Sequence, residues 1–157
     1  MQWSLVGSEM CIRDRFISRR FQLKDIPPIK LHIHSNGGLL YVGLALYDYI
    51  KSLPVPVHTI VDGVTASAAT FISLAGKKRF ITKHSHMLIH QISSGVWGSY
   101  HNISDHMANS TQAQEQIEKM YIKNTKIKPS EIKKILTHDL YFDAQQCVEF
   151  SLVDKIL

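Results

Sequence analysis

One stretch decides the fold, His58-Thr-Ile-Val-Asp-Gly-Val-Thr-Ala-Ser-Ala-Ala-Thr-Phe-Ile-Ser-Leu-Ala-Gly76. Its β-branched residues predict a strand over 55–61 that breaks at Asp62-Gly63, and the small residues 66–69 favour the first turns of a tightly packed helix. Ser67 is therefore expected between a strand and a helix, beside backbone N–H groups that could stabilise an oxyanion. This position suits a nucleophile, although a serine among alanines more commonly serves close helix packing.

Strands and helices alternate on both sides of this stretch. Residues 29–34 alternate apolar and polar side chains as a strand does, and the apolar residues of 39–53 recur at helical spacing. Gly76 is a natural cap for the helix that follows Ser67, and residues 80–81 and 87–91 are typical of short strands. This alternation predicts an α/β fold with a largely parallel sheet.

Helices dominate the second half of the chain. Residues 100–125 are polar and helix-favouring, which predicts a long helix that leaves the domain body and packs on a partner. Further helices are predicted at 129–136, with proline in the first turn, and at 144–150, where Asp143 and Gln146 form a capping box. The thin apolar stripe of the long helix consists of Ile103, Met107, Ile117 and Met120.

Composition limits the class of protein. The 157 residues carry a net charge of +5 and are 45% hydrophobic, which fits one folded domain. The lysines of 123–134 are not interleaved with aromatic residues, so a solvated face is favoured over a nucleic-acid surface. Cys11 and Cys147 form no disulfide framework, which fits a reducing compartment. The sequence has no run of about 18 apolar residues that would predict a membrane span.

The first fifteen residues are interpreted separately. They show no amphipathic period and no signal-peptide order of charge, apolar run and cleavage site. The string 8–15 resembles translated sequencing-adapter read-through, so residues 1–15 are expected to be non-native or disordered. Residues 16–157 are expected to form a single domain, with the tail of an amphipathic helix at 16–25. The alternative is a genuine N-terminal arm, which an intact-mass measurement of the native protein would reveal.

Three histidines compete as candidates for chemistry. His84, His86 and His90 fall at even spacing, and on one face of a straight strand they could bind zinc and hydrolyse a substrate. We favour the alternative that His84 and His86 lie in a solvent-facing turn. His90 then lies alone at the carboxyl end of a strand, where open α/β sheets place their ligands, although a lone histidine there is more commonly structural.

Asp139 is the best candidate for an orienting acid, by elimination. Asp143 suits a helix cap and Asp62 suits a turn, whereas Asp139 has no obvious local task. Serine, histidine and aspartate would form a triad in which the histidine takes the proton of Ser67 and the aspartate fixes its tautomer. The glycines at 37–38 follow a strand and precede a helix, which suits an oxyanion site as well as a plain turn.

Four spaced motifs together resemble the ClpP family, the proteolytic subunits of the Clp protease. They are Gly63-Val-Thr-Ala-Ser-Ala-Ala-Thr-Phe71, Met87-Leu-Ile-His-Gln91, Ser35-Asn-Gly-Gly38, and Asp139 followed by Ala144-Gln-Gln-Cys-Val-Glu-Phe-Ser-Leu-Val-Asp154. The resemblance runs from about Ile29 to Leu157. It implies a crotonase-like α/β fold of stacked strand-strand-helix units with a protruding handle helix.

The resemblance also implies a serine endopeptidase without metal or cofactor. Ser67 would be the nucleophile, His90 the general base and Asp139 the acid, and the backbone N–H groups of Gly38 and Ala68 would form the oxyanion hole. Substrate would lie as an extended strand between two segments, recognised through its backbone. The residues expected to bind it are Gly37, Leu39, Leu40, Ile92, Ser93, Ser94 and Gly95.

The resemblance implies an assembly as well. Two stacked seven-membered rings, joined by the handle helix, would enclose a chamber that a Clp-family ATPase fills with unfolded polypeptide in the cytoplasm. No nucleic acid or membrane partner is expected. Asn36, Ala68 and Ile92 depart from the proline, methionine and proline usual in the family. The N-terminal strand and axial loops of the family are not recognisable, so we expect poor assembly, which sedimentation of a stable double ring would contradict.

Three alternatives remain open. The first is a non-catalytic ring subunit or assembly scaffold, against which the joint presence of Ser67, His90 and Asp139 argues. The second is an acyl-CoA enzyme on the same fold, using the glycines at 37–38, which an acyl-CoA binding assay would detect. The third is the zinc hydrolase, which hydrolysis retained after metal removal would exclude.

Overall fold

The computed structural model of the protein describes residues 27–157, and in this range the chain is mixed α/β. The predicted fold class is confirmed. The expectations for residues 1–15 and for a helix at 16–25 fall outside the described range. In chain order the elements are β1 (Ile29–Ser35), α1 (Leu40–Ser52), β2 (Val57–Ala66), α2 (Ala69–Leu74), β3 (Lys78–Ile81), β4 (His86–Leu88), α3 (Tyr100–Asn124), α4 (Pro129–Leu136), β5 (Tyr141–Phe142), α5 (Ala144–Glu149) and β6 (Lys155–Ile156).

The sheet is built around β2, which pairs along both edges. β1 runs parallel along one edge, with a register shift beyond Ile33. The other edge is shared, because β3 pairs in parallel with residues 58–61 and β4 pairs in parallel with residues 64–66. β6 then adds in parallel to β3, and β5 adds antiparallel to β4. The sheet is therefore largely parallel, as predicted, and it forks halfway along β2.

Asp62 and Gly63 do not end the strand, so that part of the sequence prediction is wrong. β2 continues to Ala66 because Gly63 adopts a φ of 94° and its N–H donates to Ser85 Oγ at 2.6 Å. A Cβ at Gly63 would collide with the ring of His34. Gly63 therefore lies at a β-bulge, a feature that bends a strand. At this bulge β2 changes its partner from β3 to β4.

The helices agree with prediction within one or two residues except α2, which begins at Ala69 rather than at residue 66, and the short strands also differ. β3 begins at Lys78, two residues before the predicted strand at 80–81, and β4 ends at Leu88, before the predicted strand's residues 89–91. Gly76 has no left-handed φ and is not the expected cap. A Cβ there would meet Thr59 Oγ1, so close packing explains the glycine.

The long helix α3 is buried only in its second half. Its buried residues are Ala113, Ile117 and Tyr121, whereas Ile103 and Met107 are 43% and 60% exposed. The exposed first turns agree with a helix that leaves the domain body, whereas Ile117 of the predicted stripe is buried in the core. Even α3 is too polar to cross a bilayer, and none of the helices in residues 27–157 is suited to do so.

The start of α5 offers a direct test of local stability. The Gln146 N–H donates to Asp143 Oδ1 at 2.8 Å, and the Asp143 N–H donates to Gln146 Oε1 at 3.0 Å, which is the predicted capping box. Replacing Asp143 with alanine should lower the free energy of unfolding by about 1 kcal/mol, because the Gln146 N–H at the start of the helix loses its acceptor. Urea unfolding measures this loss. Gln145 is exposed and lies next to Gln146 in the same helical turn. Gln145→Ala should leave the free energy of unfolding nearly unchanged, and an equal loss there would contradict the capping role of Asp143.

Candidate active site

Ser67 occupies a sharp turn between β2 and α2, which confirms the predicted junction. Its φ of 55° makes it, with Ser151, one of two non-glycine residues in the described range with a positive φ. The Ser67 N–H donates to the Leu88 carbonyl at the end of β4 at 2.9 Å, and the Ser67 carbonyl accepts from the Thr70 N–H at 3.0 Å. Strained backbone of this kind persists only where its surroundings hold it, and it concentrates at functional sites.

Gly37 packs directly against this turn. It adopts a φ of 96°, and a Cβ built on it would lie 2.7 Å from the Ala66 carbonyl oxygen and 2.7 Å from Ser67 Cβ. Real Cβ atoms do not approach so closely, so only glycine fits both the conformation and the space. The segment joining β1 to α1 therefore passes against the candidate nucleophile.

The pairing of β4 with β5 places His90 beside Asp139. The two strands are antiparallel with Leu88 opposite Tyr141, and the same register continued two residues further sets His90 opposite Asp139. Nδ1 of His90 lies 3.5 Å from Oδ1 of Asp139. The histidine side chain is 20% exposed and the aspartate 78%, so solvent screens the attraction between them. This geometry suits an aspartate that orients a histidine ring.

A cleft of about 160 Å³ brings most of the predicted site together. Ser67, Ala68, His90 and Gly38 all line it, and Asp139 lies behind His90 rather than in the lining. No hydrogen bond joins Ser67 Oγ to the His90 ring within residues 27–157. Catalytic hydrogen bonds are commonly long or misaligned before substrate binds, so the lack of a Ser67–His90 hydrogen bond is compatible with a serine–histidine pair.

Two residues that line the cleft have backbone N–H groups without an acceptor in the described structure. Neither the Gly38 N–H nor the Ala68 N–H has an acceptor among the residues that the structure describes. Both residues line the cleft with Ser67, and Gly38 has open space around its Cα. Unpaired N–H groups beside a hydroxyl are suited to bind the oxygen of a carbonyl under attack.

The two segments expected to hold substrate both contribute to the cleft, although not through every expected residue. Leu39 and Leu40 from one segment and Ile92 and Ser93 from the other all line it. Gly37, Ser94 and Gly95 are not part of the lining; Gly37 packs under Ser67 instead.

The segment 92–98 pairs with no strand of the described sheet. In the described chain it makes no backbone-to-backbone hydrogen bond. Side chains of α3 hold it: the Ile92 N–H donates to Gln114 Oε1 at 3.1 Å, and Ser94 Oγ lies 3.1 Å from His106 Nε2. A segment held by side chains leaves most of its backbone groups available to pair with an added strand.

Sequence analysis missed the inner end of the cleft, which Phe71, Ile117 and Tyr121 line. The rings of Phe71 and Tyr121 pack with centroids 5.5 Å apart. A signal was present, since Ile117 and Tyr121 are four residues apart on α3 and Phe71 is four residues after Ser67. These three side chains meet in one cleft only because of how α3 lies over α2.

The histidines other than His90 do not form a metal centre with it. His84 lies in the turn before β4, as predicted, but His86 is half-buried as the first residue of the strand, which corrects the expectation that both lie in the turn. Within residues 27–157 no three histidine, cysteine, aspartate or glutamate side chains are placed to hold a metal ion.

Cys147 is not a competing nucleophile. It is fully buried, and burial raises the pKa of its thiol to about 12. The thiolate is the reactive form of cysteine, so this residue is chemically inert at neutral pH.

Fold and cleft together define an α/β protein with a strained serine and a histidine–aspartate pair at one site. The family model described as Clp protease matches residues 20–157. The ATP-dependent Clp protease proteolytic subunit 2 of Treponema denticola is 34% identical over 151 residues, which is 95% of this chain and 74% of that protein. The chain therefore belongs to the Clp protease family, and the resemblance to ClpP is confirmed. Membership of this family makes it a Clp-type peptidase.

Proposed function

We propose that the protein is a serine endopeptidase that hydrolyses peptide bonds of unfolded proteins inside an oligomeric chamber. The observation that carries this proposal is the convergence of Ser67, His90 and two unpaired backbone donors on one cleft. A serine hydroxyl alone is a poor nucleophile, and it needs both a base and an oxyanion site to attack an amide. The cleft offers both within one family-typical scaffold.

In the proposed mechanism, Ser67 Oγ attacks the scissile carbonyl carbon while His90 takes the hydroxyl proton. The N–H groups of Gly38 and Ala68 bind the resulting oxyanion. His90 then gives its proton to the leaving amine, and water hydrolyses the acyl-enzyme by the same steps. Asp139 holds the imidazole in the required tautomer and stabilises its positive charge.

Substrate specificity would depend mainly on the peptide backbone. The absence of backbone-to-backbone hydrogen bonds from the described residues 92–98, of which Ile92 and Ser93 line the cleft, supports β-strand addition along this segment. Main-chain pairing accepts many sequences, which suits an enzyme that degrades unfolded proteins in general.

The proposed chamber is supported by apolar side chains that the single chain leaves exposed. One group precedes and begins α3, and Trp97 in it is 97% exposed. Large apolar side chains exposed close together commonly mark protein interfaces. We propose that these side chains are buried in a homo-oligomer of stacked rings that works with a Clp-family ATPase in the cytoplasm. The name of the Treponema relative, an ATP-dependent Clp protease subunit, supports the ATPase partner. The exposed group consists of Val96, Trp97, Tyr100, Ile103 and Met107.

A fluorophosphonate probe tests the proposal, because it reacts covalently with activated serines. We expect the folded protein to be labelled, with the added mass on the tryptic fragment 52–77 that contains Ser67. Labelling should persist in the presence of a metal chelator, since no metal takes part in the proposed mechanism. Absence of labelling on a protein shown to be folded and assembled would exclude the proposal and favour a non-catalytic ring subunit.

A further inference from the structure

The buried hydroxyl of Tyr121 has no part in the proposed mechanism, yet it reaches the candidate nucleophile through one intermediate. Tyr121 is 1% exposed, and its hydroxyl lies 2.6 Å from Thr70 Oγ1. Thr70 is fully buried, and its Oγ1 donates to the Ser67 carbonyl at 2.6 Å. A short chain of hydrogen bonds thus runs from α3 to the strained turn.

The direction of this chain follows from its ends. The Ser67 carbonyl can only accept, so the single proton of the Thr70 hydroxyl is used there. The Tyr121 hydroxyl must then donate to Thr70. Burial raises the pKa of Tyr121 well above its ordinary value, so the phenol keeps this proton throughout the working range. Successive hydrogen bonds in one direction polarise and strengthen each other in a buried setting.

These hydrogen bonds act on the Ser67 turn, the part of the site that most needs support. Ser67 has a left-handed φ that a non-glycine residue adopts only when its neighbours hold it. Apart from the hydroxyl chain, its carbonyl is held by the Thr70 N–H within the same short helix. The link to Tyr121 connects the turn to a distant element, α3. The Tyr121 ring also packs on Phe71 and lines the cleft.

We infer that Tyr121, acting through Thr70, is a positioning residue that holds the Ser67 turn in the geometry required for attack. The inference rests on the proposed serine peptidase. Loss of either hydroxyl leaves the cleft lined by the same side chains but lets the turn relax, so the chemical step should slow while substrate binding is kept.

The test compares Tyr121→Phe and Thr70→Val with Thr70→Ser, which keeps a hydroxyl at the same position. The kcat for a fluorogenic peptide and the rate of fluorophosphonate labelling should fall about tenfold in the first two variants, with KM unchanged. Thr70→Ser should stay within about twofold of the wild type. The double variant should be no slower than Thr70→Val alone, because both changes break one chain.

Tyr47→Phe is the matched control for loss of a buried tyrosine hydroxyl. Tyr47 is 9% exposed and donates to Asn124 Oδ1 at 2.9 Å, away from the cleft. It should lower the urea midpoint and leave kcat unchanged. Should Tyr121→Phe fail to fold, comparison of Thr70→Val with Thr70→Ser still tests the positioning role of the hydrogen-bond chain.

Two failures are distinguishable. A wild-type protein that is folded but not labelled overturns the proposed function, and the positioning role with it. A labelled wild type whose folded variants react at the wild-type rate overturns the positioning role alone. An equal slowing in Tyr47→Phe would also overturn it, because the effect would then be general loss of stability.

Discussion

Replacing Ser67 with alanine, or His90 with alanine, should lower kcat for peptide hydrolysis by about 10⁴–10⁶-fold. Either change removes half of a unit in which the base is useless without the hydroxyl and the hydroxyl is weak without the base. The Ser67→Ala/His90→Ala double variant should therefore be no slower than the worse single variant. A fluorogenic peptide assay at matched concentrations of folded protein measures all three.

The chain offers close controls for both substitutions. Ser73, on the same short helix, has a buried Oγ without a hydrogen-bond partner in the described structure, so Ser73→Ala should keep full activity. His84 lies exposed in the turn before β4, and His84→Ala should do the same. Hydrolysis that survives Ser67→Ala at the wild-type rate would rule out Ser67 as the nucleophile.

The aspartate should matter less than the histidine. Asp139 lies 3.5 Å from His90 but is 78% exposed, so water already screens and partly replaces its interaction with the imidazole. We therefore expect Asp139→Asn to cost less activity than His90→Ala in the same assay.

Replacing Gly37 with alanine should lower kcat/KM about 10²-fold, although Gly37 carries no reactive group. The new Cβ would lie 2.7 Å from Ser67 Cβ, 2.7 Å from the Ala66 carbonyl and 3.1 Å from the Ala68 nitrogen. Because two of these are backbone atoms, the turn itself must move, and it carries both the proposed nucleophile and one proposed oxyanion donor. The positive φ adds strain, so the free energy of unfolding should also fall by about 1–3 kcal/mol.

Two other glycines separate the causes of this effect. Gly38 has a φ of 154°, but a Cβ added there would have nothing within 4 Å, so Gly38→Ala tests conformation without collision and should cost less than Gly37→Ala. Gly98→Ala would meet only the Asn102 side chain and should keep activity. Equal kcat/KM for the wild type and folded Gly37→Ala would show that the turn tolerates displacement.

Local signals explain what the sequence by itself determined. The junction at Ser67, the helices α1, α3 and α4 and the capping box of α5 each depend on residues close together in the chain. Side-chain periodicity, proline in a first turn and paired cap residues act over a few positions. The four motifs that resemble ClpP are likewise short, and the family comparison confirmed the resemblance.

Tertiary structure decided the rest, because it depends on contacts between distant residues. β2 continues through Gly63 since Ser85 and His34 shape a bulge there, which no local rule distinguishes from a turn. Asp139 meets His90 through the register of β4 with β5, although the two residues are far apart in the chain. Tyr121 reaches the Ser67 turn only because α3 lies over α2, which its own apolar pattern does not specify.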